Sequence, residues 1–216
     1  MTKYGIYGAG ALGQEVFLNV TDILKQQGKE WDFIGFIDDS LPQGTVVKYG
    51  KVAGNIHFLN AVAYKLEIII AIGNTIAIQN IYQKIDNPKI SFPNIIHPSV
   101  SYLNKDSVTM GKGNVIGMLG LVSFDVNIGD FNIFNTRVSI GHHVQIGSFN
   151  IFHPNIQISG NVKIGDSNTF GFNSGIIPAK KIGNKNTFGP GCIVTRNIAN
   201  DSLYIGNPAQ KFNFNT

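Results

Sequence analysis

The chain has 216 residues, 43% hydrophobic and only 14% charged, which excludes a disordered polymer and suits a protein that hides surface in an oligomer. Its net charge is +4, and basic and acidic residues cancel through Pro93, so the excess lies in the C-terminal half. Solvated lysines or a phosphate-bearing ligand explain that excess better than nucleic acid does, and the single cysteine excludes an intrachain disulfide.

The N-terminus carries only a short, glycine-broken apolar run, and no stretch is long and apolar enough to span a membrane, so a cytoplasmic protein is expected. Residues 3–8 read as a buried strand that runs directly into Gly8-Ala9-Gly10-Ala11-Leu12-Gly13. Leu12, Val16, Val20, Ile23 and Leu24 then follow at the spacing of one helix face, predicting a helix over 12–27. Strand, GxGxxG and helix in this order form a phosphate-binding turn. Its glycines let backbone amides approach a pyrophosphate, and the helix N-terminus stabilises the charge. A second strand, 33–37, ends in Asp38-Asp39, whose carboxylates are placed to bind a nucleoside; a third, 68–72, ends in Gly73-Asn74. Three loops thus converge at one edge of a parallel sheet, and residues 1–95 are expected to form a Rossmann-like α/β domain. The segment lacks the second half of a dinucleotide fold, which favours a mononucleotide or nucleotide-sugar over NAD.

From Met110 onward every sixth residue is apolar: Ile116, Val122, Ile128, Phe134, Ile140, Ile146, Phe152 and so on to Phe188 and Val194. A period of eighteen lies on top, visible in Ile128-Gly129-Asp130-Phe131-Asn132 and Ile146-Gly147-Ser148-Phe149-Asn150. Three hexapeptides therefore make one coil of a triangular prism with the apolar positions inward. The glycines after them are expected to relieve crowding at the corners. Asn114, Asn132, Asn150, Asn168 and Asn186 are expected to form a ladder at roughly 4.8 Å spacing. Cys192 falls at a core-facing repeat position and reads as a buried structural thiol.

This repeat resembles that of the hexapeptide acyltransferases over residues 98–208, and the resemblance implies an all-β left-handed parallel β-helix over residues 96–216, with Gly206-Asn207-Pro208-Ala209 similar to the family's exit from the helix. The order of the two domains resembles the bacterial nucleotide-sugar acetyltransferases of the sialic-acid O-acetyltransferase family, whose amino-sugar members acetylate a UDP-4-amino sugar in surface-glycan synthesis. The likeness implies acetyl-CoA as co-substrate, no resident metal, and nucleotide-sugar contacts at Gly10, Ala11, Leu12, Asp38, Asp39 and Gly73.

Acyl transfer needs a base, and a neutral histidine is suited to that role. His57 and His97 lie outside the repeat motifs and read as structural or exposed. The stretch from Asn135 to His142 resembles the family segment in which an asparagine precedes the catalytic histidine by seven residues; His142 then takes the base position and Asn135 meets the sugar. Two departures stand out. His143 occupies the place of the family's acidic residue, and Ile151 that of its second histidine, with His153 two residues further on. Asp125 precedes His143 by one coil, so a hydrogen bond between them is expected beside His142. Gly160, one coil after His142, is expected to leave room for a pantetheine arm. By resemblance, acetyl-CoA would also touch Ile151, Phe172 and Pro190 in a cleft between helices. Phe131, Phe149 and Phe172 fall off the core register and are expected on prism faces that a homotrimer covers.

Two other readings remain at this point. The altered His143 and Ile151 would suit a non-catalytic nucleotide-sugar-binding scaffold. A zinc enzyme like the γ-class carbonic anhydrases would pool His142, His143 and His153 between subunits. Transfer to an amine or to a hydroxyl is left open.

Overall fold

The computed structural model describes residues 2–28 and 30–212 and divides at Pro98 into two units, Met1–Pro98 and Ser99–Thr216. In the first, strand β1 (Thr2–Tyr7), helix α1 (Ala11–Gln27) and strand β2 (Trp31–Ile37) are followed by β3 (Val46–Val47), β4 (Gly50–Gly54) and helix α2 (Ile56–Ala61). Strand β5 (Leu66–Ile70), helix α3 (Thr75–Lys84) and strand β6 (Ile90–Ser91) complete the unit. The sheet order is β3-β4-β2-β1-β5-β6, parallel throughout except for the β3–β4 hairpin. Strands at the centre of a parallel sheet are covered on both faces and need near-continuous apolar runs. Ile6, Phe36, Ile37, Ile68 and Ile69 supply them, each with at most 1% of its surface exposed. Helix α1 buries Gly13, Val16 and Val20 and stops at Gly28, whose φ of 60° lets its N–H reach the Leu24 carbonyl.

The second unit is a left-handed β-helix of two- and three-residue strands on three faces. Ser139–Ile140 pairs in parallel with Leu121–Val122 on one side and Gln157–Ile158 on the other, and this eighteen-residue offset recurs on all three faces. Identical side chains therefore stack on copies of themselves. Phe134, Phe152, Phe170 and Phe188 form a continuous ring column with centroids 4.7–4.9 Å apart and planes within 7° of parallel, closed by Tyr204 at 5.5 Å. Each neighbouring pair buries two aromatic faces against each other, and the four phenylalanines are at most 1% exposed.

The asparagines form a ladder at one corner. Asn150 donates from its backbone N–H and its side-chain amide to Oδ1 of Asn132 at 2.9 and 3.0 Å, and Asn168 does the same to Asn150 at 2.8 and 3.1 Å. The second amide hydrogen of Asn150 goes to the Gly165 carbonyl at 2.9 Å. The five asparagines are at most 1% exposed, and this pattern satisfies the buried carboxamides.

Residues in the left-handed region recur every six positions from Gly113 to Gly191, and at twelve of these corners the residue is not glycine, Asp125 at 54° and His143 at 55° among them. None is β-branched, the class for which this conformation costs most. The repeat glycines serve a different purpose. A Cβ on Gly111, Gly147 or Gly165 would lie 2.0–2.2 Å from the side-chain oxygen of Asp130, Asp166 or Asn184 on the next coil. Phe131 corrects the expectation of an outward ring: it sits at a corner with φ 53°, is 1% exposed, and stacks on Phe149 at 5.6 Å. Its ring covers Gly113, where a Cβ would come within 2.5 Å of it. Cys192 is fully buried, and burial pushes its thiol up to about 11, so it packs as an apolar group. After the last coil the chain turns through Gly206, and Gln210–Phe212 pairs antiparallel with Leu203–Ile205.

Candidate active site

At the carboxyl edge of the first sheet, backbone bonds tie the loops together. Gly8 N–H donates to the Ile37 carbonyl at 2.7 Å, Ala71 N–H to Tyr7 at 2.9 Å, and Asp38 N–H to Gly54 at 3.0 Å. The three glycines of the turn divide the work. Gly8, at φ 108°, lies against the Ala71 carbonyl, and a Cβ on Gly13 would sit 1.8 Å from the Gly8 oxygen, so both are needed for close packing. Gly10 is the N-cap of α1 in extended geometry with no side-chain cap, and a Cβ there would meet nothing within 4 Å. Gly73 is equally open. The protein itself does not need glycine at these two positions for space. Open backbone at a helix N-terminus is what a close-approaching phosphate requires.

Both carboxylates at the end of β2 already have partners. Asp38 accepts from the N–H of Ala9 at 3.0 Å and of Ser40 at 2.9 Å, tying the glycine turn to β2. Asp39 accepts from the Tyr7 hydroxyl at 2.7 Å and the Ile56 N–H at 3.0 Å. Burial, then the hydrogen bond to Asp39 and the charges of Asp39 and Asp38, hold the Tyr7 phenol far above its usual range, so it stays a neutral donor. Beside Asp39 opens a cavity of about 310 Å³, bordered by Ser40, Gln43, Gly54, Asn55 and Phe58. Its neighbours and the Tyr7 contact were not among the expected site residues, because the loop after Asp39 and the start of α2 carry no motif that marks them.

On the β-helix, His142 and His143 share a corner and face each other through their Nδ1 atoms at 2.9 Å. Asp125, one coil earlier, places Oδ2 3.4 Å from Nε2 of His143, both side chains being about half exposed. Phe124 stacks on the His142 ring at 5.4 Å and 14°, and meets His143 edge-on. Phe124 precedes His142 by eighteen residues, so the period that pointed to Asp125 also marks it. The imidazole of His142 covers Gly160, where a Cβ would be 2.5 Å from its Cε1 and Nε2. The space left by Gly160 is therefore occupied, within the chain, by the histidine ring.

Other expected residues lie elsewhere. Asn135 sits one corner earlier and spends its side-chain oxygen on the Thr136 N–H at 2.7 Å. Phe172 and Pro190 occupy that same corner on later coils and are exposed, but Ile151 is 3% exposed and closed to a ligand within the chain. His97 is buried near Asp22, and His57 is exposed on α2. Among the described residues no three His, Cys, Asp or Glu side chains come together to hold a metal, and no helix is long and apolar enough to cross a membrane.

Residues 3–85 match the family model described as PglD N-terminal domain. A GDP-perosamine N-acetyltransferase of Escherichia coli O157:H7 is 32% identical over 133 residues, 61% of this chain; the chain spans 58% of that relative. The acetyltransferase domain of PglB from Neisseria gonorrhoeae, solved with acetyl coenzyme A, superposes with a TM-score of 0.88 at 25% identity, over 97% of this chain and 98% of that one. A perosamine N-acetyltransferase from Caulobacter crescentus shares the fold at 24% identity and a TM-score of 0.86, over 99% and 98% of the two chains. The chain is thus similar in its first domain to the PglD N-terminal domain, and over nearly its whole length to a sugar acetyltransferase domain.

Proposed function

We propose that the protein transfers an acetyl group from acetyl-CoA to an amine on a nucleotide-linked sugar, with His142 as general base. The observation that carries this reading is the exposed His142 imidazole, stacked on Phe124 and joined to His143, with Nε2 not engaged by the partner ring. His142 Nε2 takes a proton from the sugar amine as its nitrogen attacks the thioester carbonyl. The C–N bond forms, the C–S bond breaks, and the proton passes to the departing thiolate. The developing oxyanion needs a preorganised donor. The backbone N–H of Gly160, which has no acceptor among the described residues and lies under the His142 ring, is assigned that role. The relatives' acetyl coenzyme A and GDP-perosamine favour transfer to an amine over a hydroxyl. The nucleotide-sugar is assigned to the open turn at Gly10 and Gly73, with Ala11, Leu12 and the Asp39 cavity beside it. A homotrimer working in the cytoplasm completes the proposal, its CoA site built between helices and touching Phe172 and Pro190.

The test is turnover with acetyl-CoA and a panel of UDP- and GDP-linked amino sugars. His142→Ala is expected to lower kcat by roughly 10²–10⁴-fold, the span for loss of a general base, with acetyl-CoA affinity retained. Full activity in that variant would exclude His142 as the base, and no turnover with any panel member would favour a binding protein.

A further inference from the structure

We infer that Asp125 acts on the reaction through His143, by fixing which nitrogen of His142 carries the proton. This rests on the proposed role of His142 as base. It assigns a substitute for the acidic residue whose place His143 occupies.

The two Nδ1 atoms stand 2.9 Å apart, and two neutral imidazoles can share that contact only if one donates and the other accepts. Asp125 decides which. Its Oδ2 lies 3.4 Å from His143 Nε2, and a carboxylate can only accept, so the hydrogen of His143 sits on Nε2. A neutral imidazole has one N–H, which leaves His143 Nδ1 bare and obliges it to accept from His142 Nδ1. His142 therefore carries its hydrogen on Nδ1 and keeps its lone pair on Nε2. When Nε2 takes a proton from substrate, the Nδ1–H bond to His143 stays in place and the Asp125 charge faces the new cation across one ring.

The backbone aligns these groups without a helix or loop to hold them. Asp125 and His143 occupy equivalent left-handed corners of consecutive coils, at φ 54° and 55°, and so project in parallel. His143 N–H donates to the Phe124 carbonyl at 3.0 Å, and Asp125 N–H to the Ser107 hydroxyl at 2.9 Å, which locks both corners. Phe124 sets the plane of His142, and Gly160 gives the ring a place to lie. Asp125 and His143 are thus positioning residues. Both are about half exposed, so solvent screening limits the effect on rate to about fivefold for the carboxylate.

The experiment is ¹⁵N NMR of histidine-labelled full-length protein, at a pH where the imidazoles are neutral, with His142 assigned by its loss in His142→Ala. The expected wild-type spectrum shows Nδ1 protonated and Nε2 bare. In Asp125→Asn the side-chain amide can donate to His143 Nε2, which reverses both rings. The Nε2–H form of His142 should then grow and kcat fall about fivefold, with the KM for acetyl-CoA unchanged. A wild-type His142 protonated on Nε2, or a tautomer that Asp125→Asn leaves unaltered, overturns the inference. The spectrum does not depend on turnover, so it separates this relay from the base assignment, which falls only if His142→Ala keeps full activity.

Discussion

Gly10 and Gly13 sit three residues apart and are expected to fail in opposite ways. A Cβ on Gly10 would meet no atom within 4 Å, and its φ of −72° and ψ of −171° suit a β-branched residue. Gly10→Val should therefore keep its thermal midpoint while nucleotide-sugar affinity, read by calorimetry, falls about tenfold or more, ~1.4 kcal/mol or beyond. Gly13→Ala drives a Cβ to 1.8 Å from the Gly8 carbonyl and should cost roughly 1–3 kcal/mol of stability by overpacking, seen in urea denaturation. Unchanged affinity in the first variant, or unchanged stability in the second, would contradict the division of labour. Asp38→Ala belongs between the two, because its carboxylate holds the Ala9 and Ser40 amides and supports the turn as well as any ligand beside it. The turn could be read from the sequence because glycine spacing and strand order are local. That Asp38 serves the turn could not, since its partner Ala9 lies 29 residues away. Phe131 was misplaced for a similar reason. Its distance from the inward register implied an outward ring, but a left-handed corner folds that ring back over Gly113.

The coil is the repeating element, and its most exacting contact is the asparagine ladder. Asn150→Ala would strand the Asn168 backbone N–H, one hydrogen of its side-chain amide and the Gly165 carbonyl inside the prism, while Asn132 Oδ1 keeps the backbone N–H of residue 150. Leaving a buried group unmade costs about 1–3 kcal/mol, so a loss of roughly 3 kcal/mol or more is expected in thermal or urea denaturation, with the exposed Gln145→Ala as a near-neutral control. A shift no larger than the control's would mean water repairs the gap. The ladder and the phenylalanine column were legible in the sequence because each coil repeats the same demand at the same position. The contents of the corners were only partly legible. Period placed Asp125 beside His143, but it could not show that the two histidines meet through Nδ1, or that the His142 ring fills the space over Gly160. Those facts depend on side-chain rotation, which repeat spacing does not encode.

For the whole molecule, the surface of the second unit keeps Leu103, Met118, Leu119 and Phe172 at 45–68% exposed, apolar side chains that the proposed homotrimer would cover. Light scattering at micromolar concentration is expected to give three times the 23.5 kDa chain mass, and a monomer would count against both the trimer and the shared CoA cleft. The prism also has an axial direction. Each coil offers its successor the same row of backbone donors and acceptors, so a stack of identical coils has no intrinsic stopping point, and a bare end would accept a strand from another molecule. The Leu203–Ile205 and Gln210–Phe212 hairpin breaks that invitation by reversing the last strand. Tyr204 ends the column of phenylalanine rings, and Gln210 and Lys211 place polar side chains on the outermost strand. The hairpin therefore closes one of the three faces at this end of the helix, where the edge offered to a neighbour runs opposite to every strand inside.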